Sequence, residues 1–257
     1  MKLPYSALLA ASLLTTGLLV NVASAVKPGE TPEALARGKA IYTRTCIWCH
    51  GIQGKGDGPA ALFIGAYTGP RPKDFTREDY KFRSTASGQL PTDEDLFRTL
   101  TKGIPGFMPS FQSFTEQERW AVIAYIKTFA PGFQENGGTA ITLPDPPIAT
   151  SPESISRGRR VYVEQKCEAC HGLDGKGDGP LALARELTDT RGMPLAATDL
   201  TMPRSFKNGT MPQDIIRTLL TGLNGTPMPS YEAAFEDHQE DLWHLANYLL
   251  SLSAPLP

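Results

Sequence analysis

The sequence predicts an all-α protein with two tandem domains. Apolar residues recur at helical spacing in the segment that leads up to Ala130 and again near Leu249, and helix-start signals occur in both halves. No segment shows the convincing alternation of apolar and polar residues that is typical of a strand. Sequence elements of the first half also return in the same order in the second half, which is the pattern of a duplicated domain.

The internal repeat sets the domain boundaries. The recurring elements are Arg37-Gly38 with Arg157-Gly158, Gly54-Lys55-Gly56-Asp57-Gly58-Pro59 with the identical residues 175–180, Arg98-Thr99-Leu100 with Arg217-Thr218-Leu219, and Met108-Pro109-Ser110 with Met228-Pro229-Ser230. We predict domains over residues 26–130 and 153–257. The stretch between them, residues 131–152, is rich in proline and glycine and predicts an extended linker.

Residues 1–25 predict an export signal that is removed by cleavage. Lys2 supplies the positive start, an apolar run extends from Leu8 to Val20, and Ala23-Ser24-Ala25 fits the small-residue cleavage pattern. The run is shorter than the ~20 apolar residues of a membrane span, so an uncleaved anchor is the less favoured alternative. We therefore expect a periplasmic protein. The formal net charge is −2, and no basic stretch suggests a nucleic-acid partner.

Three helices are predicted in the first domain. The first begins at Thr31-Pro32-Glu33, with proline in the first turn, and runs to about Thr45. The second begins at Thr92 and ends near Lys102, with acidic residues first and a basic residue last, as the helix dipole favours. The third begins at Thr115. Its predicted buried stripe consists of Trp120, Ile123, Ala124 and Ile126.

The second domain repeats this pattern. Ser151-Pro152-Glu153 begins a helix that is predicted to reach about Lys166. The predicted buried stripe of the last helix consists of Leu242, Trp243, Leu245, Ala246 and Leu249. A long charged insert from Phe63 to Pro91 has two interpretations, a partner surface or a solvated loop.

Two pentads carry the chemistry of the chain. Cys46-Ile-Trp-Cys49-His50 and Cys167-Glu-Ala-Cys170-His171 are both Cys-x-x-Cys-His, and they contain all four cysteines. This is the attachment signature of c-type haem, in which the cysteines bond the macrocycle and the histidine binds the iron. We therefore predict two covalently attached haem c groups. The alternatives are a zinc site, which would not require a histidine after both pairs, and a pair of redox-labile disulfides.

With these motifs, each half of the chain resembles a class I cytochrome c domain. The resemblance implies a first helix that crosses the last helix. It also implies a methionine, from a loop before the last helix, as the second axial ligand of the iron. A proline carbonyl soon after the pentad is implied to accept a hydrogen bond from the iron-binding histidine. Pro59 and Pro180 match that role, and both also fit an ordinary turn.

Met108 and Met228 match the implied axial methionine. Met108 is the only methionine of residues 26–130, and the glycines and prolines around it predict a stiff loop. Met228 shares its Met-Pro-Ser sequence and follows His171 by 57 positions, against 58 between His50 and Met108. The other candidates in the second domain are Met193, Met202, Met211, His238 and His244.

The resemblance implies one-electron transfer rather than catalysis. Histidine and methionine would fill both axial positions of each iron, so that a small substrate has no free position. We expect a protein electron donor and a protein acceptor, no small-molecule substrate, and no enzymatic activity. Two alternatives are a dihaem peroxidase, which needs an open iron position, and an electron-entry subunit of a larger, membrane-associated redox complex.

Overall fold

The computed structural model describes residues 31–63, 71–135, 138–145 and 147–253. These residues form helices and loops, with three isolated β-bridges in place of strands, so the predicted all-α class is confirmed. No helix in these ranges is long and apolar enough to cross a membrane. The predicted export signal, residues 1–25, lies outside the described residues.

Each domain has a first helix, a short helix at the pentad, a helix before the methionine loop and a final helix. In the first domain these are α1 (Pro32–Thr45), α2 (Ile47–His50), α3 (Asp93–Lys102) and α4 (Glu116–Lys127). A short α5 (Gly132–Glu135) follows. The second domain contains α6 (Pro152–Glu164), α7 (Glu168–His171), α8 (Pro180–Leu183), α9 (Pro212–Thr221) and α10 (Glu240–Ser251).

Side-chain caps fix the predicted helix starts. The Thr31 hydroxyl accepts a hydrogen bond from the Ala34 N–H at 3.2 Å, and Pro32 occupies the first turn of α1. Thr92 at α3 and Thr115 at α4 form capping boxes, in which the threonine and an acidic residue three positions later each accept from the other's N–H. The predicted starts are confirmed, while α6 ends at Glu164, two residues before the predicted Lys166.

The core of each domain is the crossing of its first and last helices. Gly38 of α1 lies against the Ala121 carbonyl of α4, and a Cβ at Gly38 would approach that oxygen to 2.0 Å. Gly158 of α6 lies against the His244 carbonyl of α10 with the same 2.0 Å spacing. Only a residue without a side chain allows backbones to approach so closely. The crossing implied by the family resemblance is therefore present in both domains.

The buried face of α4 is wider than the sequence predicted. Val122 is fully buried and Ala121 nearly so, whereas Trp120 is only half-buried and stacks on Phe97 with ring centroids 4.3 Å apart. The reason is that α4 packs against α1 and α3 at once, so no single stripe describes its contacts. In α10 every residue of the predicted stripe is buried.

The predicted linker is attached to both domains. The Ile141 N–H donates to the Ser84 carbonyl of the first domain at 2.7 Å. On the other side, Trp243 Nε1 donates to the Pro144 carbonyl at 3.2 Å, and Asn247 Nδ2 donates to the Ile148 carbonyl at 3.1 Å. The described linker residues are therefore held to Ser84 of the first domain and to α10 of the second.

Residues 77–87 of the charged insert contact the second domain. Arg83 is fully buried, and its guanidinium donates to the Thr221 carbonyl at the end of α9 and to the Tyr80 carbonyl, the latter at 3.0 Å. A cation at a helix C-terminus also interacts favourably with the helix dipole. Thr190 donates to Asp79 Oδ2 at 3.1 Å, and Ser87 donates to Asn224 at 3.2 Å. This part of the insert is therefore an interdomain contact, not a solvated loop.

We expect Arg83→Met to lower the free energy of unfolding of the full chain by roughly 2–4 kcal/mol, because buried carbonyls lose a charged donor. Arg204 is the control, because it is an arginine of the second domain whose side chain is exposed. Urea unfolding of Arg204→Met should differ from the unchanged protein by no more than ~0.5 kcal/mol. Equal effects of both substitutions would show that the buried contact contributes nothing.

Candidate functional site

Each pentad opens onto a cavity inside its own domain. The first cavity, of about 220 Å³, contains Cys46, Cys49, His50 and Met108 in its wall. The second cavity, of about 260 Å³, contains Cys167, Cys170, His171 and Met228. The remaining walls are mostly apolar, and they include Phe75, Leu96, Leu100, Ile123 and Ile126 in the first cavity and Leu200, Ile215, Leu219, Leu245 and Leu249 in the second.

The short helices α2 and α7 bring the pentad side chains together. A cysteine and the next one are three positions apart, and on a helical turn this spacing places them on one face. The histidine N–H donates to the carbonyl of the first cysteine at 2.9 Å in both domains. Two sulfurs and one imidazole therefore face the same cavity from one turn of chain.

The repeated Gly-Lys-Gly-Asp-Gly-Pro segment closes over this turn. The Gly56 and Gly58 N–H groups donate to the carbonyls of His50 and Cys49, at 2.9 and 3.2 Å. The second domain repeats both bonds, from Gly177 to His171 at 2.8 Å and from Gly179 to Cys170 at 3.1 Å. Sequence reasoning treated this segment as a turn and missed its main role, although its identity in both copies was the available signal.

The hydrogen-bond acceptors of the two histidines differ from the prediction. His50 Nδ1 lies 3.0 Å from the Lys73 carbonyl, and His171 Nδ1 lies 2.9 Å from the Thr198 carbonyl. The roles assigned to the Pro59 and Pro180 carbonyls are therefore wrong. Both prolines instead begin short helical turns, and the Pro180 carbonyl accepts from the Ala184 N–H at 2.9 Å. Their fixed backbone angle suits that first position.

These bonds fix the chemistry of both imidazoles. A carbonyl can only accept, so Nδ1 carries the proton and Nε2 keeps the lone pair that a metal requires. Burial lowers the pKa of His50 and of His171, while the carbonyl hydrogen bond acts in the opposite direction. Both rings are thereby held in the neutral form that binds a metal.

The environments of the two histidines are not identical. Phe75 stacks on the His50 ring, with ring centroids 4.4 Å apart and an interplanar angle of 20°. Leu200 takes the equivalent place in the second domain, since its N–H donates to Gly175 as the Phe75 N–H donates to Gly54, both at 2.6 Å. An aromatic ring beside one imidazole and an aliphatic chain in the other domain give the two sites different surroundings.

No disulfide joins any two of the four cysteines, so the disulfide alternative has no support among them. Burial raises the pKa of Cys46 to about 11 and that of Cys167 to about 12. Without a bound metal, such a thiol stays protonated at neutral pH. No group of three or more histidine, cysteine or acidic side chains in the described ranges is arranged to hold a metal ion, which also disfavours the zinc alternative.

Met108 and Met228 lie in equivalent loops between the third and last helices of their domains. The Ile104 N–H donates to the Met108 carbonyl at 2.8 Å, and the Leu223 N–H donates to the Met228 carbonyl at 3.1 Å. Met193, Met202, Met211, His238 and His244 do not line the second cavity. Met211 is 61% exposed, and His244 Nδ1 is 2.8 Å from the Ser154 hydroxyl.

The cavity walls fit the haem c that the pentads predict. Haem c is a flat, mostly apolar macrocycle with two anionic propionates. Its site therefore needs apolar walls for the macrocycle and cationic side chains for the propionates. Arg71 lines the first cavity with a buried Nε that has no hydrogen-bond partner among the described residues. Lys73, Arg77 and Arg191 also line it, and Lys207 lines the second cavity. Cationic side chains beside an apolar slot, among them the unpartnered Arg71 Nε, suit a carboxylate-bearing macrocycle.

Comparison with known proteins agrees with this geometry. A chain of the reducing HAO-like protein complex of Kuenenia stuttgartiensis has 38% sequence identity and a TM-score of 0.77, and the match covers 85% of this chain and 96% of that one. The cytochrome bc1 complex cytochrome c subunit of Corynebacterium efficiens is 25% identical over 179 residues, or 65% of this chain. The match spans only 53% of that relative's length.

The sequence model of the cytochrome c family matches the chain twice, over residues 35–130 and 155–253. Each matched segment contains one pentad, one cavity and one Met-Pro-Ser loop. The chain therefore belongs to the cytochrome c family, with two domains in tandem whose pentads imply covalently bound haem c.

Proposed function

We propose that this protein is a periplasmic dihaem cytochrome that transfers single electrons between protein partners through two His/Met-ligated irons. One observation carries the proposal: each cavity gathers two cysteines, a histidine and a methionine from a single domain. The two cysteines, the histidine and the methionine of the second cavity repeat those of the first, so the same group fits both cavities.

The chemistry of each side chain indicates its role in holding the haem. Cys46 and Cys49, and in the second domain Cys167 and Cys170, would hold the macrocycle through thioether bonds. His50 and His171 would bind the irons through Nε2, which the carbonyl bonds at Nδ1 leave available. Met108 and Met228 would supply the opposite axial ligand. When bound, the haem iron supplies a one-electron couple between the ferrous and ferric states.

The protein itself contributes by excluding water from the cavities and by positioning the ligands of the haem. Apolar side chains keep water from the cavity, and the short helices α2 and α7 fix the histidines relative to the sulfurs. A methionine bound to each iron would leave no free position for a substrate, which supports electron transfer over peroxidase chemistry.

The relatives support function within a redox assembly. The names of the two matched proteins each place that protein in a complex, the reducing HAO-like complex and the cytochrome bc1 complex. By analogy, we propose that this chain exchanges electrons with protein partners as a subunit or a docked carrier. Export by the signal at residues 1–25 agrees with haem c attachment outside the cytoplasm.

The test is a spectroscopic redox titration of the mature protein purified from the periplasmic fraction. We expect two covalent haems per chain, two one-electron midpoints and low-spin irons in both oxidation states. Adding peroxide to the half-reduced protein should give no turnover beyond that of free haem. A colourless protein, one haem per chain, or peroxide turnover with a high-spin iron would contradict the proposal. N-terminal sequencing that begins near Val26 would support cleavage of the signal.

A further inference from the structure

Lys81 and Phe82 lie in the walls of both cavities. They belong to the first domain, in the segment that packs against the second domain beside the buried Arg83. In return, Asn224 and Gly225 of the second domain lie in the wall of the first cavity. The two cavities thus meet across one stretch of backbone.

Lys81 is the only charged residue that lines both cavities among the described residues. Its side chain is half-buried, and no described residue accepts a hydrogen bond from its ammonium. The neighbouring basic residues are engaged: Lys73 pairs with Asp79 at 2.5 Å, and Arg191 pairs with Asp189 at 3.7 Å. Among the described residues that line both cavities, Lys81 is therefore a charge without a hydrogen-bond or ion-pair partner.

The charges around Lys81 act on its ammonium form in both directions. Burial lowers the pKa of Lys81, while the carboxylate of Asp189 and, more weakly, that of Asp79 act in the opposite direction. Arg191 and Lys73 face the same site and disfavour the added positive charge.

We propose that the single positive charge of Lys81 raises the reduction midpoints of both haem sites together. The inference rests on the proposed function, because it requires a redox group in each cavity. Reduction of an iron adds one negative charge to its site, and a nearby cation in a poorly solvated wall stabilises that added charge. A cation common to both walls acts on both equilibria.

The experiment compares the midpoints of full-length variants by redox titration. Lys81→Met should lower both midpoints, each by roughly a tenfold change in the one-electron equilibrium, or about 59 mV. Lys81→Arg keeps the charge and should restore both midpoints nearly to those of the unchanged protein. Lys81→Gln is a second neutral variant, so that a packing defect caused by methionine does not decide the result.

Two control variants separate a shared effect from a local or general one. Arg71 lines only the first cavity, so Arg71→Met should lower one midpoint and leave the other unchanged. Lys39 is exposed on α1 and lines neither cavity, so Lys39→Met should move neither. The midpoints are assigned to sites with variants of Met108 and Met228.

The outcomes distinguish this inference from the proposed function. The unchanged protein should show two resolved one-electron waves. If Lys81→Met and Lys81→Gln shift only one of these waves, or neither, the shared role of Lys81 is overturned, while the proposed electron-transfer function stands. An equal fall in Lys81→Arg would show that the charge is not the cause. If the protein without substitutions shows no one-electron waves, the proposed function itself is wrong.

Discussion

Met108→Ala is expected to lower one of the two reduction midpoints, by on the order of 0.1 V or more, and to leave the other nearly unchanged. A thioether is a soft ligand that favours the ferrous over the ferric iron, so its removal makes reduction harder. The effect should stay local because each cavity draws its methionine from its own domain. A redox titration followed by visible spectroscopy measures both midpoints in one experiment.

Met228→Ala should produce the reciprocal result, moving the other midpoint alone. Met211→Ala is the matched control, since this methionine is exposed and lines neither cavity. If both midpoints stay in place in Met108→Ala, the assignment of the first axial ligand is wrong. If Met228→Ala remains low-spin with sulfur ligation, another methionine of the second domain must reach the iron.

Gly158→Ala is expected to destabilise the protein by about 2 kcal/mol or more. In an exposed helix the same change would stabilise by ~1 kcal/mol, because alanine is the better helix former. Here the new Cβ would lie 2.0 Å from the His244 carbonyl oxygen and 2.7 Å from Tyr248 Cβ, so α6 and α10 would have to separate. The cost of overpacking, about 1–3 kcal/mol or more, exceeds the gain in helix propensity.

Ser156→Ala is the control for this substitution because Ser156 lies on the exposed side of the same helix. Urea unfolding at fixed haem content should give a stability within ~0.5 kcal/mol of the unchanged protein for Ser156→Ala. A stable Gly158→Ala protein would mean that the two helices can move apart without loss, and that their contact is not the core of the domain.

The sequence predicted most of the fold because its signals are local. Thr31, Thr92 and Thr115 mark helix starts through bonds that span three residues, so the chain alone reveals them. The pentads likewise place their chemistry within five residues. The placement of Met108 and Met228 in the cavity walls agrees with predictions drawn from the repeat and the family resemblance.

Features that depend on distant contacts were not predictable in this way. The carbonyls that meet the histidines come from Lys73 and Thr198, 23 and 27 positions away, and no side-chain pattern marks a backbone acceptor. The burial of Arg83 depends on the neighbouring domain, because its guanidinium donates to the Thr221 carbonyl of that domain.

The contact between the two domains is made in both directions. Arg83 of the first domain donates to the Thr221 carbonyl of the second, and the Lys207 ammonium of the second lies 5.2 Å from the centre of the Phe107 ring of the first. Each domain therefore supplies a cation to the surface of the other. Separation of the domains would break both contacts at once, so the pair of contacts opposes hinge motion between the two cavities.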